Sequence, residues 1–297
     1  MSDSSSKVRN VQDTARWVAY FRARETERSD ALFRDPYAKQ LAGERGLLIA
    51  HALPDGNKHE WAWVARTYLF DQLLEREIRE GAGLVINLAA GLDARPYRME
   101  LPRALEWVEV DLPEILSYKE EILAGQEPRC RLERFRLDLA DAAGRRALFT
   151  QLGQRADKIV VMCEGLLIYL AAEEVASLAE DLAAVSTFRT WLVDLASPGQ
   201  LRLMQRGMGK ELSAAGAAFK FGPAEGSNFF VPHGWAPAAV HGLMKTAARL
   251  NRLPKELHSL LPEPEGLPGN YPWTGVCLLK RSLLPAPARR DRSSSPL

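Results

Sequence analysis

The sequence has almost no net charge and no cysteine pattern. Its 39 basic residues stand against 38 acidic ones, which leaves a formal net charge of +1. Binding to a nucleic-acid backbone or an anionic membrane needs a strong positive field, so we expect neither partner. The three cysteines, Cys130, Cys163 and Cys277, are far apart and form no CxxC pair. This spacing indicates neither a zinc site nor a disulfide framework, and no histidine or carboxylate cluster indicates another metal.

Long apolar runs are missing as well. No segment approaches the ~18 apolar residues of a membrane-spanning helix, and residues 1–10 are Ser-rich and polar. We therefore expect a cytoplasmic protein without a membrane segment or an export signal. Residues 1–10 and 285–297 carry too little apolar surface to offset the entropy of ordering, which predicts two disordered tails. Residues 11–284 can bury one large core and are predicted to form a single domain.

The first part of this domain has helical periodicity. Apolar residues recur at roughly helical intervals over residues 14–24 and 59–79, which predicts two amphipathic helices. Pro36 disfavours a helical conformation at Asp35, so a turn is predicted between them. Residues 11–80 are therefore expected to form a helical lid and a lead-in helix before the first strand.

From residue 84 to residue 284 the pattern changes to short apolar runs separated by helical segments, which is typical of βαβ units. The predicted strands are 84–88, 107–110, 132–137, 158–163 and 190–195, and the predicted helices between them are 113–124, 142–152 and 172–185. A further helix over 237–250 and a late strand over 275–280 are expected to complete this part. The prediction is an α/β fold with a doubly wound, mostly parallel sheet.

Polar or small residues follow four of the predicted strands. In such a sheet, ligands bind outside the carboxyl ends of the strands. The first strand leads into a small-residue turn at residues 89–91, and Asp111 after the second strand lies twenty positions beyond Gly91, where nucleotide-binding folds carry a ribose-binding carboxylate. Asp138 follows the third strand and Glu164 the fourth. Each aspartate is by itself equally explained as a turn or helix-cap residue.

The glycine-rich signature of dinucleotide binding is missing. A pyrophosphate must lie on a helix N-terminus, and of the GxGxxG pattern only Gly91 is present. A nucleoside ligand without phosphates relaxes that demand. S-adenosyl-L-methionine is such a ligand, and its ribose hydroxyls and adenine amine need acceptors of the kind found after strands two, three and four. The pattern favours this cofactor over a nicotinamide dinucleotide.

Several segments resemble the leucine carboxyl methyltransferase group, and in particular its bacterial branch of polyketide-type O-methyltransferases. They are NLAAGLDARPYRM (87–99), EVDLPEILSYKEEIL (109–123), CEGLLIYL (163–170), TARWVAYFRARETERSDALFRDPYA (14–38) and VARTYLFDQ (64–72). The resemblance implies a class I methyltransferase fold with a Rossmann-like, seven-stranded sheet. It also implies an S-adenosylmethionine-dependent O-methyltransferase that acts on a carboxylate or hydroxyl of a small acceptor of the polyketide or secondary-metabolite type.

The resemblance further implies a role for individual residues at the nucleoside end of the cofactor. The loop after the first strand would approach the cofactor closely, the carboxylate after the second would hold the ribose hydroxyls, and the residues after the third would flank the adenine. The residues concerned are Ala89, Ala90, Gly91, Asp93, Asp111, Leu112, Asp138 and Leu139.

At the methionine end, the resemblance implies that Arg66 receives the carboxylate of the cofactor, a bidentate task suited to a guanidinium group. Glu164 and Gly165 would face the amino and sulfonium groups, and Tyr169 would lie near the methyl group. Arg22 would be a second basic contact from the lid. Arg66, Glu164 and Tyr169 are thus the candidate catalytic residues, although a solvated charge would explain Arg66 and core packing would explain Tyr169.

Two positions depart from the family pattern. Ala89 stands where the stricter pattern has glycine, and Ala94 where a threonine commonly follows the aspartate. We expect the alanine to be tolerated if its φ is negative, and the missing hydroxyl to remove at most one hydrogen bond, worth roughly 1 kcal/mol.

The acceptor and its activation stay open at this level. A carboxylate acceptor needs no general base, whereas a phenol or alcohol would need Tyr169, Glu164 or His233. An acceptor pocket could be lined by tryptophans, namely Trp17, Trp61, Trp63 and Trp235. The alternative functions are methylation of a protein C-terminal carboxylate, a nicotinamide-dependent oxidoreductase and a non-catalytic cofactor-binding protein. The oligomeric state is not predicted.

Overall fold

The computed structural model describes residues 8, 10–52, 59–261 and 269–282. The predicted C-terminal tail and most of the predicted N-terminal tail lie outside the described residues. Within the polar N-terminal stretch, Val8 is buried, and the Asn10 side chain accepts a hydrogen bond from the Asp13 N–H at the start of the first helix. Among the described residues, no helix is long and apolar enough to cross a bilayer.

A seven-stranded sheet forms the centre of the molecule. Its strands are β1 (Leu84–Leu88), β2 (Glu106–Asp111), β3 (Arg131–Arg136), β4 (Ile159–Cys163), β5 (Phe188–Ala196), β6 (Trp235–Gly242) and β7 (Thr274–Arg281). Their order is β3-β2-β1-β4-β5-β7-β6; β1 to β5 are parallel, whereas β7 runs antiparallel to both β5 and β6. The strand order reverses between β1 and β4, which places a ligand crevice at their carboxyl ends.

Nine α-helices accompany the sheet within the described part of the chain. They are α1 (Val11–Thr26), α2 (Ala38–Ala52), α3 (Glu60–Arg79), α4 (Arg95–Arg98), α5 (Pro113–Ile122), α6 (Ala142–Leu152), α7 (Ala172–Ala183), α8 (Pro198–Ala214) and α9 (Leu243–Arg249). Short 3-10 turns occupy Leu167–Tyr169, Gly226–His233 and Lys255–Leu260. The five predicted parallel strands and the late strand are confirmed, with small differences at their ends.

The core lies on both faces of the sheet. All residues of β1 and β4 are buried, as expected for parallel strands covered by helices on both sides. One apolar cluster joins alternate residues of these strands to α6 and α7, and a second joins the intervening residues to α3 and α9. The carboxyl ends of the central strands are thereby held in fixed relative positions.

A third apolar cluster joins the lid to the rest of the domain. We call it the lid cluster: Trp17, Phe21, Trp63, Tyr169, Met204, Met208, Leu212 and Phe219, with smaller neighbours. Its members come from α1, α3, α8, the turn at Leu167–Tyr169 and the segment after α8 that contains Phe219. The lid therefore packs over the carboxyl end of the sheet and covers the crevice described above.

The predicted helix over 237–250 is wrong in its first half. Residues up to Gly242 form β6, which pairs with β7 around an irregularity between Pro237 and Ala239, and only Leu243–Arg249 is helical. A proline lacks the N–H that a central strand needs, but β6 is the edge strand of the sheet and tolerates it. The helices α2 and α8 were not predicted; both carry glycines, and α2 is kinked at Gly43, where φ is +57°.

Candidate functional site

A cavity of about 950 Å³ lies at the carboxyl ends of the strands, beneath the lid. Every residue that the sequence analysis assigned to the cofactor or to catalysis lines it: Arg22, Arg66, Ala89, Ala90, Gly91, Asp93, Asp111, Leu112, Asp138, Leu139, Glu164, Gly165 and Tyr169. The structure thus brings together residues from α1, α3, the 3-10 turn and four separate strand ends. Within the described residues, no three histidine, cysteine or carboxylate side chains are grouped so as to hold a metal ion.

The loop after β1 turns sharply beside the carboxylate at the end of β2. The Gly91 N–H donates to Oδ2 of Asp111 at 2.6 Å, and the Leu112 N–H donates to Oδ1 at 2.8 Å. Gly91 has a φ of +47° and Ala89 a φ of +52°, both in the left-handed region. The condition of a negative φ at Ala89 is therefore not met: this turn has two left-handed residues, and one of them is an alanine that bears the steric cost.

Asp111 keeps room for further hydrogen bonds. Burial is the largest influence on its carboxyl group and raises its pKa above the ordinary value, although the two backbone N–H groups act in the opposite direction. Each carboxylate oxygen accepts one hydrogen bond from a backbone N–H and can accept another. Hydroxyl groups of a ligand in the cavity could therefore donate hydrogen bonds to the Asp111 carboxylate, and these bonds would stabilise its ionised form.

Asp93 holds the loop in place. Its Oδ1 accepts from the Arg95 N–H at 2.8 Å, and its Oδ2 accepts from the Asn87 amide and from the Arg95 guanidinium, both at 2.8 Å. Burial alone would raise the pKa of Asp93, but the positive charges of Arg95, Lys119 and Arg98 outweigh it and hold the pKa well below its usual range. Both oxygens of this carboxylate are thus used in hydrogen bonds that stabilise the turn.

Arg66 is buried at the centre of a carboxylate network. Its Nε donates to Oε1 of Glu164 at 3.1 Å, and its Nη1 donates to Oδ2 of Asp194 at 3.0 Å. The Trp63 ring lies over its guanidinium carbon at 4.8 Å from the ring centre. Among the described residues, Nη2 has no hydrogen-bond partner, so one edge of this cavity-lining guanidinium can receive an anionic group.

Gly165 leaves the space that Arg66 occupies. Its φ is +73°, and a Cβ built at this position would lie 3.2 Å from Nη1 of Arg66. The Gly165 N–H donates to Oδ1 of Asp194 at 2.7 Å. Asp194 therefore positions both the guanidinium and the turn after β4. Sequence reasoning missed this residue, although a carboxylate inside the apolar strand 190–195 was a usable signal.

Glu164 lies between two buried arginines. Its Oε1 accepts from Arg66, and its Oε2 is 2.8 Å from Nη1 of Arg95. Arg95 itself is 2% exposed and also binds Asp71 and Asp93. Both oxygens of Glu164 are thus engaged by guanidinium groups, an arrangement that fixes the turn after β4 more than it prepares a general base.

Tyr169 is half-buried within the lid cluster. Its ring stacks on Phe219 with centroids 5.7 Å apart, and its hydroxyl forms a side-chain hydrogen bond with Thr14. Burial raises the pKa of Tyr169 above its ordinary value, against the opposing effects of Thr14 and the Arg66 charge. The phenol therefore stays protonated at neutral pH and can donate a hydrogen bond into the cavity, but it is a poor general base.

Arg22 connects the lid to the loop after β1. Its Nε donates to Oδ2 of Asp35 at 2.9 Å, and its Nη2 donates to the Leu92 carbonyl at 2.6 Å. At the opposite end, Asp138 is exposed and accepts from the Ala140 N–H at 2.9 Å, while Leu139 is half-buried. These two residues form the solvent-facing end of the cavity.

Two residues that were considered for the acceptor side do not line the cavity. His233 lies outside the residues that line the cavity; its Nδ1 is 3.1 Å from Glu180. Trp235 is the first residue of β6 and is fully buried, and its Nε1 donates to the Ala179 carbonyl of α7. The predicted helix began at residue 237, and no strand was predicted at Trp235. The other three tryptophans do line the cavity: Trp17, Trp61 and Trp63.

The strand order, with antiparallel β7 inserted between β5 and the edge strand β6, defines the class I methyltransferase α/β fold. Solved structures with this architecture include a DUF574 family protein from Streptomyces avermitilis, 11% identical, with a TM-score of 0.55 over 89% of this chain and 96% of that one. Another, from Thermobifida fusca and titled a putative methyltransferase, is 13% identical, with a TM-score of 0.53 over 94% and 97%. At these identities the likeness shows the fold alone.

The chain belongs to the leucine carboxyl methyltransferase family, whose model matches residues 15–183. A relative from Frankia alni, named "Putative S-adenosyl-L-methionine-dependent methyltransferase", is 33% identical over 84% of this chain and 92% of its own length. A relative from Mycobacterium bovis with the same name is 36% identical over 57% of this chain and 61% of its own length. The family match spans the lid, the loop after β1 and the turn after β4.

Proposed function

We propose that this protein is an S-adenosylmethionine-dependent O-methyltransferase that acts on a carboxylate or hydroxyl group of a small molecule. The observation that carries the proposal is that the Asp111 carboxylate and the Arg66 guanidinium both line the same cavity. The first suits the ribose hydroxyls of the cofactor and the second its carboxylate. The names of the relatives, which refer to this cofactor, support the same assignment.

The described residues fit the cofactor at both ends. At one end Asp111 can accept two further hydrogen bonds, and the small side chains of residues 89–91 let a ligand approach the backbone. At the other end Nη2 of Arg66 is open, while Glu164 and Asp194 hold the rest of the guanidinium in place. When bound, S-adenosylmethionine supplies the methyl group from a sulfonium that is a good leaving group.

This chain then contributes alignment and exclusion of water. Methyl transfer is an in-line displacement, for which proximity and orientation account for much of the rate. The lid cluster covers the acceptor side of the cavity, and Tyr169 can donate a hydrogen bond to the acceptor from its protonated phenol. Since Glu164 is engaged by two arginines, we assign it to positioning.

The first test is calorimetric titration of the protein with S-adenosylhomocysteine, NAD and NADP. We expect S-adenosylhomocysteine alone to bind. Asp111→Ala and Arg66→Lys should each weaken this binding about tenfold or more, because the first removes the ribose acceptor and the second the planar fork. Lysine is chosen at position 66 because it leaves a positive charge beside Glu164 and Asp194.

The matched control is Arg76→Lys on the same helix. The Arg76 side chain is 43% exposed, so this substitution should leave the affinity unchanged. Binding of a nicotinamide cofactor in place of S-adenosylhomocysteine would overturn the proposal. Binding of S-adenosylhomocysteine without methyl transfer to any acceptor would instead favour a non-catalytic cofactor-binding protein.

The proposal also covers partners and location. We propose a small-molecule acceptor, no nucleic-acid or membrane partner, and action in the cytoplasm. The near balance of basic and acidic residues and the three unpaired, buried thiols support this.

A further inference from the structure

The cavity has a second half whose walls are apolar. The lid cluster contributes Trp17, Trp63, Met204, Met208 and Phe219 to this wall, and Trp63 borders the Arg66 guanidinium. Aromatic and thioether side chains bind flat apolar ligands well and adapt to their shape. The part of the cavity left for the acceptor therefore favours a molecule with a large apolar surface.

The rim of the cavity combines apolar and acidic side chains. Leu203 on α8 and Leu260 at the end of the last 3-10 turn are 47% and 48% exposed, and both line the cavity. Asp138, Glu173 and Glu174 are exposed lining residues as well. An apolar molecule that enters here would contact the two leucines, whereas an anion would meet the three carboxylates.

Positive charge within the described lining is already neutralised. The charged residues there are Asp93, Asp111, Asp138, Glu164, Glu173, Glu174 and Asp194 against Arg22, Arg66, Arg95 and Arg145. Each arginine forms an ion pair: Arg22 with Asp35, Arg66 with Glu164 and Asp194, Arg95 with Asp71 and Asp93, and Arg145 with Asp181. The carboxylates outnumber the guanidinium groups, so the cavity repels a further anion once Arg66 holds the carboxylate of the cofactor.

Under the proposed function, the open Nη2 edge of Arg66 is occupied by the carboxylate of the cofactor. Nη2 of Arg66 adjoins the turn after β4, and Arg22 reaches the Leu92 carbonyl after β1. His59, at the start of α3, is the remaining described lining residue whose side chain can become positive. An acceptor carboxylate in the apolar half would lose its hydration without gaining a guanidinium partner, which is costly.

Resting on the proposed function, we propose that the acceptor is an uncharged, largely apolar molecule that presents a hydroxyl group, and that carboxylate acceptors are excluded. The acceptor oxygen forms a bond to the methyl carbon as the carbon–sulfur bond breaks. The bonding pair stays on sulfur, which becomes a neutral thioether, and the hydroxyl proton is released to solvent as the acceptor oxygen is methylated, since both oxygens of Glu164 are engaged by arginines. The Tyr169 hydroxyl can donate a hydrogen bond to this neutral acceptor oxygen.

The test compares 2-naphthol with 2-naphthoate, which share one apolar skeleton and differ in charge at pH 7. Each is titrated into protein saturated with S-adenosylhomocysteine. We expect 2-naphthol to bind at least tenfold more tightly than 2-naphthoate. Equal or tighter binding of 2-naphthoate would overturn the inference, and if His59→Gln then abolished that binding, the imidazole would be its receptor. Failure of both probes to bind would overturn the apolar acceptor site.

A charge introduced into the apolar wall provides the second arm. Met204→Arg should reverse the preference toward 2-naphthoate, whereas Met204→Gln, of similar length but neutral, should not. Titration of each variant with S-adenosylhomocysteine reports on the cofactor site separately. If the unsubstituted protein does not bind S-adenosylhomocysteine, the proposed function is refuted. If it binds S-adenosylhomocysteine but prefers 2-naphthoate to 2-naphthol, only the proposed acceptor class is refuted.

Discussion

Ala89 carries a backbone conformation that suits glycine. Its φ of +52° brings the Cβ of an L-residue close to the following carbonyl oxygen, which costs roughly 1–2 kcal/mol. The conformation persists because the neighbouring Gly91 N–H bond to Asp111 and the Asp93 network fix the turn on both sides. Strain of this kind is concentrated at sites where a ligand approaches the backbone.

Replacing this alanine should therefore stabilise the protein. Ala89→Gly removes the left-handed strain and adds conformational entropy to the unfolded chain, and the balance is an increase of about 0.5–1 kcal/mol in the free energy of unfolding. Ala90→Gly is the control, because Ala90 is buried and has no positive φ, and it should lower this free energy. Urea unfolding measures both, and a loss of stability in Ala89→Gly would contradict the strain.

At the scale of elements, helix α1 closes directly onto the loop after β1. The Arg22 guanidinium joins Asp35 and the Leu92 carbonyl, and a Cβ built on Gly91 would lie 3.4 Å from the Cβ of Ala15. The lid and the cofactor loop are thus in contact through one charged hydrogen bond and close packing. A ligand that leaves this loop must displace α1 first.

Weakening this bond should speed the release of the cofactor product. Arg22→Lys keeps a charge beside Asp35 but cannot also reach Leu92, and loss of a charge-assisted bond of about 1.5 kcal/mol raises the dissociation rate about tenfold. Stopped-flow displacement of bound S-adenosylhomocysteine measures this rate. Arg24→Lys, on the same helix with a side chain 43% exposed, serves as the control. An unchanged rate in Arg22→Lys would show that α1 does not gate release.

For the whole molecule, buried thiols set an alkaline limit to stability. Burial raises the pKa of Cys130 and of Cys163 to about 12, each from an ordinary value near 9.0. The folded state therefore holds these protons more tightly than the unfolded state does. A raised pKa contributes stability that is fully present below the unfolded pKa and is lost as the pH rises toward the folded pKa.

Cys130→Ala should reduce this alkaline loss. Between the unfolded thiol pKa near 9.0 and pH 10, the wild type should lose about 1 kcal/mol more than the variant in its free energy of unfolding. Urea unfolding at pH 7.5 and at pH 10 gives the two differences to compare. A variant that loses as much stability as the wild type would show that Cys130 is ionised in the folded protein.

Much of the site followed from the order of residues along the chain. Asp111, Asp138 and Glu164 come directly after short apolar runs, and parallel strands bring such positions to one edge of a sheet. Arg66 needed the family resemblance, because a single arginine on an amphipathic helix has no local signature of ligand binding. Asp194 was missed, because its role depends on Arg66 and Gly165, which lie far from it in sequence.

The sequence by itself determined the five parallel strands, the helices between them and the polar residues at their ends, since period and turn chemistry are local properties of the chain. Only the tertiary structure decided that residues 235–242 form a strand, because their extended conformation depends on hydrogen bonds to β7. It also decided which arginines form ion pairs with residues distant in sequence: Arg66 pairs with Asp194, and Arg95 pairs with Glu164. Charge pairing and strand pairing are non-local, so no local pattern contains them.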